Sequence, residues 1–90
     1  MTVGRKLQIS GRVQGVGFRY ATLRKASKLG VTGTVRNLAD GRVEIVAQAK
    51  ESIMNEFERW CRQGPAEARV DEVALVDTSP GDHHEFRIIS

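Results

Sequence analysis

The 90-residue sequence has few cysteines and no long apolar runs, and each scarcity excludes a class of protein. Cys61 is the only cysteine, so the chain cannot form an internal disulfide, which excludes a secreted scaffold held together by disulfides. No apolar run approaches the roughly 18 residues that a membrane-spanning helix needs, and no hydrophobic signal segment follows Met1. We therefore expect a cytoplasmic protein without a membrane partner.

Aromatic residues are also scarce, at 6% of the chain, which leaves few side chains on which nucleic-acid bases could stack. The 14 basic residues only slightly outnumber the 11 acidic ones, and both kinds are interspersed along the chain. This mild positive excess suits an anionic partner but lacks the basic stripe of a nucleic-acid-binding protein. We expect no nucleic-acid partner.

Periodicity and turn residues predict a single domain, residues 1–90, in the order β-α-β-β-α-β with a short fifth strand after it. Apolar residues at helical spacing predict a first helix from Phe18 to a stop at Gly30 and a second from Glu51 to Gly64. Strands are expected at residues 5–11, 31–37, 42–48, 68–77 and 84–90. This order predicts a ferredoxin-like α+β sandwich, a mostly antiparallel sheet with both helices on one face.

The segment GRVQGVGFRY, residues 11–20, connects the first strand to the first helix. Gly11, Gly15 and Gly17 can adopt backbone conformations closed to other residues, which lets several N–H groups converge on one point. The N-terminus of the following helix adds further N–H groups, and Arg19 can donate two parallel hydrogen bonds to an oxyanion. The segment therefore predicts an anion-binding site, and a tight turn without a ligand is the alternative.

The two common nucleotide-binding fingerprints do not fit this segment. A Walker loop needs a Lys-Ser or Lys-Thr pair after its glycines, and none follows here. A Rossmann fingerprint that starts at Gly15 needs a glycine or alanine at position 20, which is Tyr20. Nucleotide binding is not supported.

Two segments resemble the signatures of the acylphosphatase family. GRVQGVGFR matches the pattern Gly-x-Val-Gln-Gly-Val-x-Phe-Arg, and GTVRNLADGRV matches Gly-x-Val-x-Asn-x-x-x-Gly-x-Val, in the family's order and separation. The sequence departs from the family at Thr34, where an aromatic residue is usual, and at Ala49, where glycine is usual. We expect the first departure to alter packing or acyl-group contacts and the second to affect only the end of the third strand.

The resemblance implies a metal-independent hydrolase without cofactors, which cleaves the carboxyl-phosphate bond of a small acyl phosphate. Arg19 and Asn37 would be its catalytic residues, with Asn37 orienting the attacking water. The phosphate-binding loop would consist of Gln14, Gly15, Val16, Gly17, Phe18 and Arg19. Carboxylic acids have a pKa of about 4, so the carboxylate can leave without a general acid, which makes this chemistry reasonable for such a site. The protein is expected to be a monomer.

The main alternative is a noncatalytic ferredoxin-like module that binds an anion or another ligand, because many activities share this fold. An RNA-recognition domain would need aromatic residues on the third strand, which has none. We expect a free-standing enzyme rather than the acylphosphatase-like domain of a larger carbamoyl-transfer protein.

Other residues favour simpler interpretations. The adjacent His83 and His84 are not expected to bind a metal, and Cys61 is expected to be a buried, inert thiol. Arg5, Lys6 and Arg12 flank the glycine-rich segment in sequence and could strengthen its positive field, although solvated surface charge is the simpler interpretation.

Overall fold

A computed structural model describes all 90 residues, which form five strands and two helices in the predicted order. The elements are β1 (Thr2–Arg12), α1 (Phe18–Leu29), β2 (Thr32–Asn37), β3 (Val43–Lys50), α2 (Glu51–Gln63), β4 (Arg69–Thr78) and β5 (Phe86–Ile88). The strands form one sheet in the order β4-β1-β3-β2-β5, in which only the β2–β5 pair is parallel. The predicted ferredoxin-like α+β fold is confirmed.

The hydrophobic core lies between the sheet and the two helices. Phe18, Thr22 and Ala26 are buried at successive turns of α1, so one stripe of that helix faces the sheet. The corresponding stripe of α2 contains Met54, Phe57 and Cys61. Fifteen buried hydrophobic residues from strands, helices and the segments between them form one continuous cluster. Neither helix is long and apolar enough to cross a membrane.

The sheet register places Asn37 at the end of the sheet where the chain passes from β1 to the first helix. Val43 of β3 pairs with Ile9 of β1 on one side and with Asn37 of β2 on the other. Neighbouring strands lie about 4.8 Å apart, so Asn37 is about 10 Å from Ile9 in the same row. Because Ile9 and Val43 are fully buried against the helices, the Asn37 side chain projects from this helix-facing side as well.

Thr34 projects from the opposite side of the sheet, because its neighbours Gly33 and Val35 are buried on the helix-facing side. Thr34 lines a cavity of about 200 Å³. The other residues that line this cavity lie just before, in and just after β5: Asp82, His83, His84, Glu85, Arg87 and Ile89. Asn37 therefore lies on the other face of the sheet from Thr34, and the departure at Thr34 leaves a small residue beside this cavity. Ala49 pairs with Val3 near the end of β3 and belongs to the core cluster.

Filling the cavity beneath Thr34 is expected to stabilise the protein. The substitution Thr34→Tyr should raise the free energy of unfolding by about 1 kcal/mol, measured by urea denaturation, because a larger side chain gains contacts in the space now left open. Thr32→Tyr is the matched control, since Thr32 lies on the same strand and face but does not line the cavity. Equal stability of the two variants would show that the cavity is not the cause.

Candidate active site

A short glycine loop, residues 13–17, joins β1 to α1, and buried side chains hold it at both ends. Val13 at its start and Phe18 directly after it are each 1% exposed. Gly15 and Gly17 have φ values of 76° and 78°, in the left-handed region that other residues rarely adopt. A Cβ at either position would meet no atom within 4 Å, so glycine is needed for backbone conformation and not for space. The loop therefore owes its shape to these two residues.

The backbone N–H groups of this region have no acceptor within the protein. None of the N–H groups from Gln14 to Tyr20 donates a hydrogen bond to a backbone or side-chain acceptor, and the first helical bond runs from Ala21 N–H to the Gly17 carbonyl at 3.0 Å. Gly17 is the N-cap of α1 and has no capping side chain, and the first turn of the helix has no acidic residue. The positive end of the helix dipole therefore has neither a capping side chain nor an acidic residue in its own first turn.

Arg19 adds a free guanidinium at the start of α1. Its side chain is exposed and forms neither an ion pair nor a hydrogen bond, whereas six other arginines pair with carboxylates: Arg5, Arg36, Arg42, Arg62, Arg69 and Arg87. A planar guanidinium beside converging N–H groups is a favourable site for a phosphate oxyanion. The structure thus brings the predicted loop and Arg19 together at one helix terminus.

Arg5 takes no part in this site, so the possibility that it strengthens the field at the loop does not apply to it. Its guanidinium donates to Glu58 of α2 at 2.9 Å and lies 3.6 Å from Asp77 of β4, near the start of β1 and away from the loop. Two carboxylates therefore neutralise it. Of the three flanking cations considered, Arg12 is the one at the loop end of β1.

Asn37 carries the one buried side-chain polar atom that lacks a hydrogen-bond partner. Its Oδ1 is inaccessible to solvent and accepts no hydrogen bond. Leaving such an acceptor unpaired costs about 1–3 kcal/mol, so native proteins seldom do so without a functional reason. Because Oδ1 is inaccessible, only a rotation of the Asn37 amide would bring this oxygen to an arriving donor.

Gln14 connects the glycine loop to the strand end that carries Asn37. Its side-chain Nε2 donates to the carbonyl of Leu38 at 2.8 Å and to that of Arg42 at 2.9 Å. Leu38 directly follows Asn37, so these bonds draw the loop toward the predicted water-orienting residue. Periodicity could not reveal this contact, because it joins residues 24 and 28 positions apart in the chain; only the signature drew attention to Gln14.

The other candidate residues take no part in the site. Cys61 is fully buried, and burial raises the pKa of its thiol well above the usual value, which leaves it protonated and inert. His83 and His84 precede β5 rather than lying in it, so the predicted strand from residue 84 starts two residues too early. His84 Nε2 lies 3.1 Å from Asp82 Oδ1 at the surface, and no group of three or more metal-ligating side chains is present.

Comparison with known proteins supports the interpretation of the two signatures. The acylphosphatase family model matches residues 5–88, which is nearly the whole chain and includes the loop, Arg19 and Asn37. The chain belongs to the acylphosphatase family. The acylphosphatase function predicted from the signatures, and with it the assignment as an enzyme, is confirmed.

Individual acylphosphatases are similar over most of their length. The acylphosphatase of Trichormus variabilis is 50% identical over 80 residues, which are 89% of this chain and 79% of the relative. That of Marinobacter nauticus is 53% identical over 78 residues, 86% of this chain and 85% of the relative. The crystal structure of acylphosphatase from Bacillus subtilis superposes with a TM-score of 0.94 at 35% identity and covers 98% of this chain and 99% of that one.

The left-handed conformation of Gly17 yields a test of the acylphosphatase loop. Gly17→Ala should weaken competitive inhibition by inorganic phosphate about tenfold, because an alanine strained by about 1–2 kcal/mol at this φ would relax by turning the N–H groups away from one another. The measurement is the inhibition constant of phosphate in a steady-state assay.

The matched control is Gly30→Ala at the other end of the same helix. Gly30 has φ 81° and ψ 24°, close to the 78° and 18° of Gly17, and a Cβ there would also meet no atom within 4 Å. Both variants should lose similar stability, but only Gly17→Ala should lose phosphate affinity. Equal phosphate inhibition of the two variants would show that the loop conformation does not serve anion binding.

Proposed function

We propose that the protein hydrolyses small acyl phosphates to a carboxylate and inorganic phosphate at the site formed by the glycine loop, Arg19 and Asn37. The observation that carries the proposal is the set of unused N–H groups from Gln14 to Tyr20 beside the unpaired guanidinium of Arg19. Both kinds of donor face no internal acceptor, so an oxyanion can bind without first displacing one. Recognition then depends on the phosphate, since the cavities of the molecule do not include this loop.

The reaction makes few demands on acid–base chemistry. A water oxygen forms a bond to phosphorus while the bond from phosphorus to the acyl oxygen breaks, and the carboxylate leaves as an anion without protonation. The proton of the water passes to a phosphate oxygen of the substrate. What the protein supplies is fixed positive potential where charge gathers on the phosphoryl oxygens, and the N–H groups and Arg19 provide it.

Asn37 orients the attacking water in this proposal. An amide is too weakly basic to remove a proton, so its contribution is positional: it holds the water in line with the bond that breaks. The side chain of Asn37 lies on the helix-facing side of the sheet, in the row that ends where the glycine loop begins, which supports this role. Because its Oδ1 is inaccessible to solvent, the amide must turn toward the site before that oxygen can accept from a water.

We further propose that the protein is a cytoplasmic monomer that needs no metal and forms one domain over residues 1–90. The loop, Arg19 and Asn37 all come from one chain, so catalysis does not require a second copy. The single core cluster, which extends from Leu7 to Phe86, supports one domain.

The experiment that tests the proposal is phosphate release from benzoyl phosphate by the purified protein, with and without a chelator. Equal turnover in both samples supports a metal-independent acyl phosphate hydrolase. Absence of turnover would refute the proposed function, and turnover that the chelator abolishes would refute metal independence alone.

Arg19→Lys should lower kcat/KM on the order of 100-fold, because an ammonium cannot reproduce the two parallel hydrogen bonds of a guanidinium to the phosphoryl oxygens. The control is Arg24→Lys, since Arg24 is also an exposed arginine of α1 without an ion pair but lies in the groove beside Trp60. The control should retain its activity. Near-normal activity of Arg19→Lys would count against the assignment.

Asn37→Ala should lower kcat on the order of 100-fold and change KM less than about threefold, because orientation of water matters mainly in the transition state. Full kinetic curves with benzoyl phosphate provide both constants. Asn55→Ala is the control, because Asn55 lies on α2 and accepts a hydrogen bond from Arg5 away from the loop. An effect of Asn37→Ala on KM alone would contradict the role in orienting water.

A further inference from the structure

We propose that Gln14 is a positioning residue that sets the spacing between the glycine loop and Asn37, and that its side chain is not a ligand of the phosphate. This inference rests on the proposed function, since it assigns the residue that aligns the two halves of that site. Gln14 belongs to the loop by sequence, but its amide is directed to the β2–β3 hairpin.

Gln14 makes the only hydrogen bonds between residues 13–16 and another part of the chain. No backbone group of these four residues bonds outside the loop, and no other side chain among them has a hydrogen-bond partner. Apart from the buried side chains at its ends and the partly buried Val16, the loop is therefore held in place by one amide. Removing that amide frees the loop to shift relative to β2.

The partner of Gln14 is the closing pair of the hairpin. Leu38 N–H donates to the Arg42 carbonyl at 2.8 Å, and the Leu38 carbonyl accepts from Gly41 N–H at 3.2 Å. Gln14 donates one amide hydrogen to each of these two carbonyls, which uses both hydrogens of its NH₂ group and the second acceptor position of each oxygen. A single side chain thus spans the neck of the hairpin.

The neck is itself rigidly held, so it is a fixed reference for the loop. The side chain of Arg42 donates to Asp40 Oδ2 at 2.8 Å and to Gln8 Oε1 at 2.7 Å on β1. Asp40 also accepts from Arg42 N–H at 3.1 Å, and these hydrogen bonds and the Arg42 charge lower the pKa of its carboxyl. Leu38 directly follows Asn37 in the chain, and Gln14 directly precedes Gly15. The side-chain amide of Gln14 therefore fixes the distance between the N–H groups of the loop, which bind the phosphate, and Asn37, which orients the water.

The test replaces the amide with an isosteric side chain that cannot donate. Gln14→Met should lower kcat at least tenfold, because displacement of a positioned group by about 1 Å can cost on the order of 100-fold in rate. The inhibition constant of inorganic phosphate should change less than about twofold, since the N–H groups and Arg19 remain. Loss of phosphate affinity at unchanged kcat would overturn the proposal, because it would make Gln14 a phosphate ligand.

A double substitution tests whether Gln14 acts through Asn37. In the Asn37→Ala background, Gln14→Met should lower kcat less than about twofold further, because nothing is left to align. Losses that multiply would overturn the proposal, since Gln14 would then act independently of Asn37. If wild-type protein releases no phosphate from benzoyl phosphate, the proposed function itself fails, and this inference fails with it.

The control for stability is Gln48→Met. Gln48 also bonds to the backbone of a loop, with Nε2 3.4 Å from the His83 carbonyl and Oε1 accepting from Gly81 N–H at 2.7 Å, but this loop is on the other side of the sheet. The Gln48→Met variant should lose stability without loss of kcat.

If Gln14→Met does not fold, the variant Gln14→Asn is used instead. It retains the amide but can reach only one carbonyl, and it should show a smaller fall in kcat with the same phosphate affinity. Unchanged kcat in a folded Gln14→Asn variant would then overturn the proposal.

Discussion

The run of unpaired N–H groups from Gln14 to Tyr20 is the constraint on which the candidate site depends. Backbone donors normally find acceptors, so a run of free donors persists only where the surrounding structure prevents the chain from folding back on them. Here buried Val13 and Phe18 fix the two ends, and the left-handed glycines fix the path between them. The helix that begins at Phe18 adds its own first N–H groups to those of the loop. The core thereby maintains an arrangement that would be unfavourable in isolation.

Ion pairs also distinguish the candidate site from the rest of the protein. On the open face of the sheet, Glu44 accepts hydrogen bonds from Gln8 at 2.8 Å and from Arg36 at 3.0 Å, and these contacts lower the pKa of its carboxyl. Most arginines outside the site have a carboxylate partner in this way. Arg19 has none, and no acidic side chain occupies the first turn of α1. The positive potential of the protein is therefore available where an anion would bind.

Local patterns predicted most of the fold because the residues that start and stop its elements are neighbours in sequence. Gly30 ends α1, and the turn at Asp40 and Gly41 joins β2 to β3, as the sequence indicated. The length of β1 and the parallel pairing of β5 with β2 depend on partners elsewhere in the chain and were not predictable in this way. The same limit applies to the candidate site: the glycine loop and Arg19 are contiguous, so the sequence alone could predict them as a candidate, whereas the bonds of Gln14 to the hairpin needed the folded sheet. The ion pairs of Arg5 were not predictable for the same reason, since its two acidic partners lie in α2 and β4.

The strand order has a kinetic consequence. β1 pairs with β3 and β4, and the second of these ladders joins Gly4 to Thr78 near opposite ends of the chain. Closing such long stretches before any contact stabilises them slows the search for the native state, so chains dominated by distant pairings fold in about milliseconds to seconds rather than microseconds. The glycine loop follows β1 and Asn37 ends β2, and these two strands are separated by β3, so the loop and Asn37 meet only when the β1–β3 and β2–β3 ladders have formed. Partly folded chains in which these two ladders are incomplete therefore lack the assembled candidate site, and recovery of turnover during refolding is expected to follow their completion.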